Sequence, residues 1–434
     1  MLPKLKMTNS YLIFQILRFG SLLLINIIMA KSKLSMPDLG RFESFTFYAS
    51  AVSFFWIAGF SQTLLSFNET KNAAVNKKLF FNTFLVFIGC SLFSSIALLI
   101  GYLFNRTGYI PGLNLFDQLF LIFYVFVYPI GFLIEFILLS RNKSRHLVIY
   151  GVISSVLTLI FIPLPVFFGF SVELCFMGLI IIAIAKIVYL LFILKSSAEF
   201  TFDKSLIIKL IITASPLVLT ALLAGSASYI DGLIISLNFD NPTFAIFRYG
   251  AREFPLFLLI SSSFGISMLP LLTARNSLQS NLELIKEKSG QYIRQYFPLA
   301  VILLCLSQFA FKYIFNVNFY HSFIVFDIYL LLVISRFVFP ASILIGFQKN
   351  RLVLAVSLIE LVINIGFSLL FVKWIGYTGV AFGTVIAYFA EKLILIFLVK
   401  RHLNILPGTY IPIKQLLVFS MLVFSVFLIK QCLI

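Results

Sequence analysis

The sequence predicts an all-α polytopic membrane protein, because of its composition, its long apolar runs and an internal repeat. Of its 434 residues, 61% are hydrophobic and only 11% are charged, and the mean hydropathy is +1.06. A soluble domain carries about 25% charged residues, which keep its surface hydrated. The composition therefore excludes a water-soluble enzyme, a nucleic-acid-binding domain and a disordered protein, although the net charge is +17.

The apolar runs predict the transmembrane helices, since about 20 helical residues cross a bilayer core of roughly 30 Å. Twelve runs of suitable length cover residues 11–30, 44–67, 80–104, 116–140, 147–168, 174–195, 206–236, 243–271, 292–315, 323–347, 350–372 and 377–399. A further run, 416–429, has only about 14 residues between Lys414 and Lys430, which is too short to span unless both lysines reach the interface. The predicted count is about twelve, or thirteen or fourteen if the end of the chain also crosses.

The basic residues predict the orientation, because the cytoplasmic loops of membrane proteins retain lysine and arginine. With the N-terminus inside, the inner segments hold nineteen of these residues. The outer loops hold six, which are Lys31, Lys33, Arg41, Arg106, Lys312 and Lys373. We expect a multi-pass protein of the cytoplasmic (inner) membrane with a cytoplasmic N-terminus, and we attribute most of the positive charge to topology.

An internal repeat is found when the chain is compared with itself at an offset of 206 residues. The matching pairs are Lys143 with Lys349, Arg145 with Arg351, Lys186 with Lys392 and Gly59 with Gly265. We expect a six-helix bundle over 1–199, a second over 200–404, and a C-terminal extension over 405–434. Because six is an even number, the bundles must be parallel repeats related by an axis along the membrane normal. Such a pair encloses a cleft that opens to either side, as expected of an alternating-access carrier.

Polar residues within the apolar runs mark candidate sites, since ionisable groups at bilayer depth are costly. Arg18 shares one face of the first helix with polar neighbours at helical spacing. In the fourth helix, the spacing of Asp117, Tyr124, Tyr128 and Glu135 places all four within about 20° of one line. Two carboxyls and two tyrosines are thus predicted on a single helix face.

Later helices carry further intramembrane charges. Lys186 and Lys392 each lie about nine residues, or roughly 13 Å, from a helix end, which is too deep for snorkelling. Arg248 and Arg252 are one turn apart on the eighth helix and can form bidentate hydrogen bonds with phosphate oxygens. Asp231 is the last residue of a face of the seventh helix that otherwise consists of small residues.

Ten residues form the predicted functional set. The members expected to bind substrate are Arg18, Arg248, Arg252, Lys186, Lys392, Tyr124 and Tyr128. The acids expected to couple transport to an ion are Glu135, Asp231 and Glu360, the last on a polar face of the eleventh helix. The alternative is that these charges only pair with one another, or that Asp231 and Glu360 form helix–helix hydrogen bonds.

No catalytic, metal or nucleotide motif is found. His146, His321 and His402 are far apart, and the four cysteines have no paired or metal-ligand spacing. There is no Walker motif, and no connection exceeds about 20 residues, too few for a separate catalytic domain. We expect neither an enzyme nor a cofactor.

Two stretches carry a resemblance to a known family. The first is ILRFGSLLLINIIMAKSKLSMPDLGRFESFTFYASAVSFFWIAGFSQTLL, with the Leu-Gly-x-Phe-like element Leu39, Gly40, Arg41 and Phe42. The second is YIDGLIISLNFDNPTFAIFRYGAREFPLFLLISSSFGISMLPLL, which reads Ala245, Ile246 and Phe247 at the matching element. Together they resemble the Wzx-type O-antigen and capsule flippases of the multidrug/oligosaccharidyl-lipid/polysaccharide (MOP) exporter superfamily.

The resemblance implies a function and partners. The implied function is translocation of an undecaprenyl-pyrophosphate-linked oligosaccharide from the inner to the outer leaflet, for surface polysaccharide biosynthesis. The implied partners are this lipid-linked substrate, membrane lipids, a polysaccharide polymerase and a chain-length regulator, with no nucleic acid. Basic residues facing a cavity would offset the desolvation of the pyrophosphate, and the tyrosines would stack on sugar faces.

Three other interpretations remain open. An ion-coupled multidrug antiporter of the same superfamily would use the acids Asp231, Glu135 and Glu360, although the basic residues do not suit a cationic drug. A lipid II flippase is a second transport alternative. A polysaccharide polymerase or ligase is a membrane enzyme of another class, and it would need a large outer loop that this chain lacks.

Overall fold

The protein is all-helical, as predicted. The computed structural model describes residues 2–67, 73–104, 110–268, 272 and 278–433, and every regular element within these ranges is a helix. Arg106, one of the six basic residues of the predicted outer loops, lies outside the described residues.

The helices confirm a multi-pass membrane protein. Ten described helices are long and apolar enough to cross a membrane, and two bent helix pairs raise the number to twelve. The bent pairs are Met36–Ala51 with Phe54–Leu65, and Ser322–Arg336 with Pro340–Gly346.

The described residues form two compact units, within the gaps given above. The first is Met1–Gly225 with Asp240–Ala245, and the second is Ser226–Phe239 with Ile246–Ile434. One long helix and one short helix contribute to both units. The predicted boundary at residues 199 and 200 stays a prediction.

The helices over residues 2–250 are, in chain order, α1 (Leu2–Lys31), α2 (Met36–Ala51), α3 (Phe54–Phe67), α4 (Ala73–Phe104), α5 (Leu115–Val127), a 3-10 turn (Tyr128–Phe132), α6 (Leu133–Ser140), α7 (Ser144–Phe161), α8 (Pro163–Phe167), α9 (Val172–Ser197), α10 (Lys204–Asn238) and α11 (Asn241–Gly250). Local capping sets two of their starts. The Ser35 hydroxyl accepts the amide hydrogen of Asp38 at α2, and Asn114 and Asp117 form a capping box at α5.

The remaining helices are α12 (Pro255–Ser267), α13 (Leu278–Phe309), a π-helical turn (Ala310–Phe315), a 3-10 turn (Val317–Phe319), α14 (Ser322–Leu330), α15 (Val333–Arg336), α16 (Pro340–Gly346), α17 (Asn350–Ile375), α18 (Tyr377–Leu403), α19 (Pro407–Tyr410) and α20 (Ile413–Cys432). Helices α17 and α18 form a hairpin, and α20 packs along α13.

Prolines interrupt three of the predicted spans. The eighth span, predicted as one helix over 243–271, is broken after Gly250 and resumes at Pro255, so that prediction was wrong. The fourth span contains the 3-10 turn at Pro129, and the tenth is broken before Pro340. Each of these prolines lacks the amide hydrogen that a continuous helix needs, and the residue before Pro340 is also non-helical, with φ −116° and ψ 43°.

The same turn follows α6 and α16, at the offset of the sequence repeat. Asn142 and Gln348, which are 206 residues apart, both adopt a positive φ, of 54° and 59°. Next to them, the amide of Lys143 donates to the carbonyl of Leu138, and the amide of Lys349 donates to the carbonyl of Leu344. This hydrogen-bonded, left-handed turn reverses the chain into α7 in one half and α17 in the other.

The C-terminal segment is long enough to span, contrary to the sequence estimate. Helix α20 has 20 residues and includes Lys430, which was expected to limit the apolar run. The charge of Lys430 is tolerated within this apolar helix, because its ammonium lies 2.6 Å from the fully buried carboxylate of Asp327. It also donates to the carbonyl of Leu304 and the hydroxyl of Ser307. Lys430 is thus held by an ion pair with a buried carboxylate.

We expect Lys430→Met to destabilise the second unit by about 3–5 kcal/mol, because it leaves the Asp327 carboxylate buried without a cation. Thermal unfolding of the detergent-solubilised protein measures the effect. The double variant Lys430→Met with Asp327→Leu should recover most of the loss, since it removes both charges. Equal melting temperatures of wild type and Lys430→Met would show that the pair does not anchor α20.

Candidate functional site

Arg18 and Glu135 meet within the first unit. Arg18 lies in the middle of the apolar part of α1, and its Nη1 lies 3.4 Å from both carboxylate oxygens of Glu135 on α6. The arginine side chain is 43% exposed, whereas that of Glu135 is 5% exposed. The guanidinium also lies over the ring of Phe132, 5.6 Å from its centroid. Arg18 therefore keeps one side open to a ligand while Glu135 and Phe132 fix its position.

Lys186 brings a second cation to this pair. It is half-buried on α9 and interacts electrostatically with Arg18 and Glu135. In the described part of the chain, its ammonium forms no hydrogen bond or ion pair within bonding distance. Its aliphatic stem lies against Gly131, where an added Cβ would come within 3.0 Å of the lysine Cβ. Glycine at this turn therefore makes room for Lys186, and the two cations exceed the single carboxylate by one positive charge.

Aromatic rings extend from this cluster. Tyr11, Phe14, Tyr150 and Tyr189 stack in sequence, with centroid distances of 6.3, 6.0 and 5.9 Å. They come from α1, α7 and α9, and Tyr11 and Tyr150 interact electrostatically with Glu135. Except for the buried Phe14, these rings are partly exposed. Such rings offer flat faces and hydroxyl groups beside the cationic cluster.

The two predicted tyrosines differ in access. Tyr124 and Tyr128 stack with centroids 4.8 Å apart, as their shared helix face predicts. Tyr124 is buried and also packs on Phe45, 5.5 Å away, so its ring has little surface open to a ligand. Tyr128 is half-buried and retains access.

Asp117, placed by the sequence pattern on the same stripe as Glu135, belongs to a different cluster. Its buried carboxylate accepts two hydrogen bonds of 2.9 Å from Arg41, whose guanidinium also binds Glu173 at 2.7 Å and Asp38 at 2.9 Å. Arg41 thus ties the starts of α2, α5 and α9 together. Sequence reasoning counted Arg41 only as a loop charge, although its place in the Leu-Gly-x-Phe-like element was a signal.

The glycine of that element is explained by a close approach. A Cβ added at Gly40 would overlap the backbone of Asn241, the first residue of α11. The Asn241 side chain donates a hydrogen bond of 3.0 Å to the carbonyl of Gly112. Any larger residue at position 40 would separate α2 from α11, so the element is a packing motif in this unit.

We expect Arg41→Ala to destabilise the protein by about 3–5 kcal/mol, since the Asp117 carboxylate would remain buried without its cation. Asp38→Asn is the matched control, because Asp38 is 33% exposed and binds the same arginine, and an exposed pair contributes less than about 1 kcal/mol. Thermal unfolding compares the two variants. A loss with Asp38→Asn as large as that with Arg41→Ala would contradict the assignment to Asp117.

Asp231 lies in a buried oxygen-rich cluster of the second unit. Its Oδ2 accepts hydrogen bonds of 2.5 Å from the hydroxyls of Tyr329 and Thr384, and the amide of Asn364 donates to Thr384 at 3.0 Å. Asp231, Asn364 and Thr384 are at most 2% exposed. The oxygens Oδ1 of Asp231 and Oδ1 of Asn364 are buried without a hydrogen-bond partner among the described residues. The cluster can accept a small cation, because its side-chain oxygens outnumber the donors.

Glu360 lies beside this cluster, among further charges. It is buried and interacts electrostatically with Glu391, Lys392, Arg336 and Asp231. Lys392 pairs with Glu391 at 3.1 Å, and Arg336 forms a two-pronged ion pair with Glu253. Lys392, predicted to bind substrate, thus has an acidic neighbour in its own helix.

Arg248 and Arg252 do not form the predicted pair on one helix face. Helix α11 ends at Gly250, so Arg252 lies beyond the helix. Its Nε donates to the carbonyl of Arg248 at 3.2 Å, and its guanidinium lies 5.2 Å from the ring centroid of Tyr249. The expectation that both arginines lie on one helix face was wrong, because the helix ends before Arg252. Their role in substrate binding stays a prediction.

Comparisons with known proteins identify the fold. No protein-family model matches the sequence, and no curated protein matches it. Among solved structures, the chain is similar to the lipid II flippase MurJ in an inward closed conformation, with a TM-score of 0.66 and 18% identity, covering 97% of this chain and 93% of that one. It is also similar to a multidrug resistance MATE family transporter of the MOP superfamily in an inward-facing conformation, with a TM-score of 0.62 and 15% identity, covering 95% of both chains.

A third similar structure is a MOP superfamily transporter from Pyrococcus furiosus, described as having a binding pocket of reverse polarity. Its TM-score is 0.53 and its identity 14%, over 93% of this chain and 95% of that one. The chain therefore has the helical fold that MurJ and MATE transporters share. The narrower resemblance to Wzx-type flippases stays a prediction.

Proposed function

We propose that the protein is a flippase that moves a lipid-linked, undecaprenyl-pyrophosphate oligosaccharide across the cytoplasmic membrane by alternating access. The observation that carries this proposal is the cluster of Arg18, Lys186 and Glu135, which has an excess positive charge within apolar helices. The similarity to a flippase and to transporters supports the general class.

The charge of the cluster fits an anionic headgroup. A pyrophosphate carries about two negative charges, which lose their hydration when they enter a low-dielectric interior. An exposed guanidinium binds phosphate oxygens with two parallel hydrogen bonds, and an ammonium adds a point charge. The stacked rings that extend from Arg18, which include Tyr11, Tyr150 and Tyr189, would contact the sugars that follow the pyrophosphate.

Two transport alternatives remain, and one observation bears on each. A multidrug antiporter with the same fold would bind cationic or neutral drugs, which the positive cluster at Arg18 disfavours. A lipid II flippase would also move a sugar pyrophosphate on a lipid, and the similarity to MurJ favours this second candidate. Both lipid-linked substrates carry a pyrophosphate, and they differ in the glycan.

We assign the coupling cation to Asp231, in keeping with its predicted role. A carboxylate that is 1% exposed and has one oxygen without a donor is stabilised when a proton or Na⁺ binds. Tyr329, Thr384 and Asn364 surround it with further oxygens. Binding of the cation would then favour one conformation of the carrier over the other. Glu135 is less suited to this role, because it already has Arg18 as its counter-ion.

The cellular setting is part of the same proposal. The basic residues of the predicted inner loops support a cytoplasmic N-terminus in the inner membrane. A polysaccharide polymerase and a chain-length regulator would use the translocated repeat units.

Deletion of the gene tests the substrate class. Loss of a lipid-linked polysaccharide flippase should cause complete repeat units to accumulate on the inner leaflet, with loss of surface polysaccharide and continued growth. Peptidoglycan failure and lethality would instead identify lipid II as the substrate. Unchanged glycans with increased sensitivity to cationic drugs would support the antiporter and contradict the proposal.

A further inference from the structure

Polar side chains continue from the Asp231 cluster along the facing surfaces of α17 and α18. On α18, Thr384, Tyr388 and Glu391 follow a spacing of four and three, which places them on one face. The hydrogen bond between Asn364 and Thr384 fixes the register of the hairpin. Because the helices are antiparallel, Glu360, one turn before Asn364, lies level with Tyr388. The polar face therefore extends from Asp231 towards the C-terminal end of α18.

Glu360 has an unsatisfied oxygen in this path. The residue is 8% exposed, and its Oε1 is buried without a hydrogen-bond partner among the described residues. The charged or titratable groups that act on it are Asp231, Arg336, Tyr388, Glu391 and Lys392. The two cations among these are already engaged, Arg336 by Glu253 and Lys392 by Glu391. A buried carboxylate oxygen with no donor is costly, and a visiting cation would satisfy it.

Exposure increases along the same face. Asp231 is 1% exposed and Glu360 8%, whereas the side chains of Glu391 and Lys392 are 13% and 18% exposed. Thr384 and Glu391 are seven positions apart, which corresponds to about 10 Å along the helix. Beyond them, α18 ends at the exposed basic residues Lys400 and Arg401. Two acidic side chains thus continue from the buried cluster towards the Lys400 end of α18 as far as Glu391, which lies nine residues, or about 13 Å, before Lys400.

We propose that Glu360 and Glu391 form the route by which a monovalent cation reaches and leaves Asp231 from the Lys400 end of α18. This inference rests on the coupling role proposed for Asp231. Each carboxylate accepts a proton or supplies oxygen ligands to Na⁺, so the route serves either ion. A cation that arrives at Glu391 exchanges with the Lys392 ammonium, because two positive charges beside one carboxylate repel each other. Lys392 thereby restricts the outer position to one cation at a time.

Substitution of a residue on the route should change the rates of cation association and dissociation more than it changes the dissociation constant. The purified full-length protein is mixed with radioactive Na⁺ at constant pH, and association and dissociation are followed in time. In a second arm without Na⁺, a pH jump is followed with an indicator dye, which identifies a proton route. For whichever ion binds, we expect Glu391→Gln to slow both association and dissociation about tenfold, which corresponds to about 1.4 kcal/mol of activation free energy. The dissociation constant should change less than about threefold.

Three further variants make the test specific. Glu391→Asp should restore the rates, since it returns a carboxylate, and Asp231→Asn should abolish binding at equilibrium. Glu287→Gln, at an exposed position of the second unit, is the matched control and should behave as wild type.

Two results would overturn the route. The first is Glu391→Gln with wild-type rates, and the second is a loss of affinity as large as that of Asp231→Asn. If wild type bound neither Na⁺ nor protons, the coupling site and the route would both fall. If the cation kinetics are as expected but the protein does not move lipid-linked sugars, the proposed substrate is wrong and the cation route is still supported.

Discussion

Arg18→Ala is expected to reduce the flipping rate of a lipid-linked sugar pyrophosphate by at least about tenfold. Hydrogen bonds to charged groups contribute about 1.5–3 kcal/mol, which corresponds to a factor of about ten to one hundred. Arg18 has the more exposed side chain of the Arg18–Glu135 pair, so it is the group available to the pyrophosphate. Initial flipping rates in vesicles with equal amounts of protein measure the effect.

The chemistry of the replacement separates charge from geometry. Arg18→Lys should retain more activity than Arg18→Ala, because it keeps the charge and loses only the planar fork, and Arg18→Glu should be the least active. Lys31→Ala, which removes an exposed positive charge at the end of the same helix, is the control. Full transport by Arg18→Ala, or an equal loss in Lys31→Ala, would contradict a specific role for Arg18.

Asp231→Asn is expected to remove the response of the flipping rate to an imposed cation gradient. Asparagine keeps the size of the side chain, but it carries no charge and cannot take up a proton. In vesicles with wild-type protein, a pH or Na⁺ gradient should change the flipping rate severalfold. In the variant, rates with and without the gradient should be equal.

Thr384→Val gives a graded version of the same test. It removes one of the two hydroxyls beside Asp231 and with it an oxygen that can bind Na⁺, so a higher Na⁺ concentration should be required for half of the maximal response. Thr378→Val is its matched control on α18, because the Thr378 hydroxyl bonds only the carbonyl of Ile375. If neither gradient changes the wild-type rate, or if Asp231→Asn responds as wild type does, Asp231 has a structural role only.

The parts of the structure that depend on local patterns were predictable. Apolar runs of about 20 residues predicted the spans, since membrane insertion depends on hydropathy averaged over one helix. The offset of 206 residues, found from pairs such as Lys143 and Lys349, is also the offset between the turns at Asn142 and Gln348. The depth of Arg18, Glu135, Lys186 and Asp231 within apolar runs marked them as candidate site residues, and their roles stay predictions.

The parts that depend on tertiary partners were not predictable from one helix at a time. Asp117 and Glu135 share a helical phase, but the turn at Pro129 separates them, and each has a different arginine as partner. The ion pair of Lys430 was missed because its buried partner, Asp327, is more than 100 residues away in sequence. Helical periodicity also does not show where proline ends a helix within an apolar run, so the separation of Arg252 from α11 was missed.

The most direct test of the proposed function uses purified protein in vesicles with an undecaprenyl-pyrophosphate oligosaccharide that carries a fluorescent sugar. A membrane-impermeant quencher reports the fraction of sugar in each leaflet over time. The same oligosaccharide on a lipid without phosphate is the matched substrate. We predict rapid exchange of the pyrophosphate-linked sugar, which slows markedly in Arg18→Ala, and little exchange of the uncharged analogue. Equal rates for both lipids, or exchange no faster than in protein-free vesicles, would contradict an anion-binding flippase.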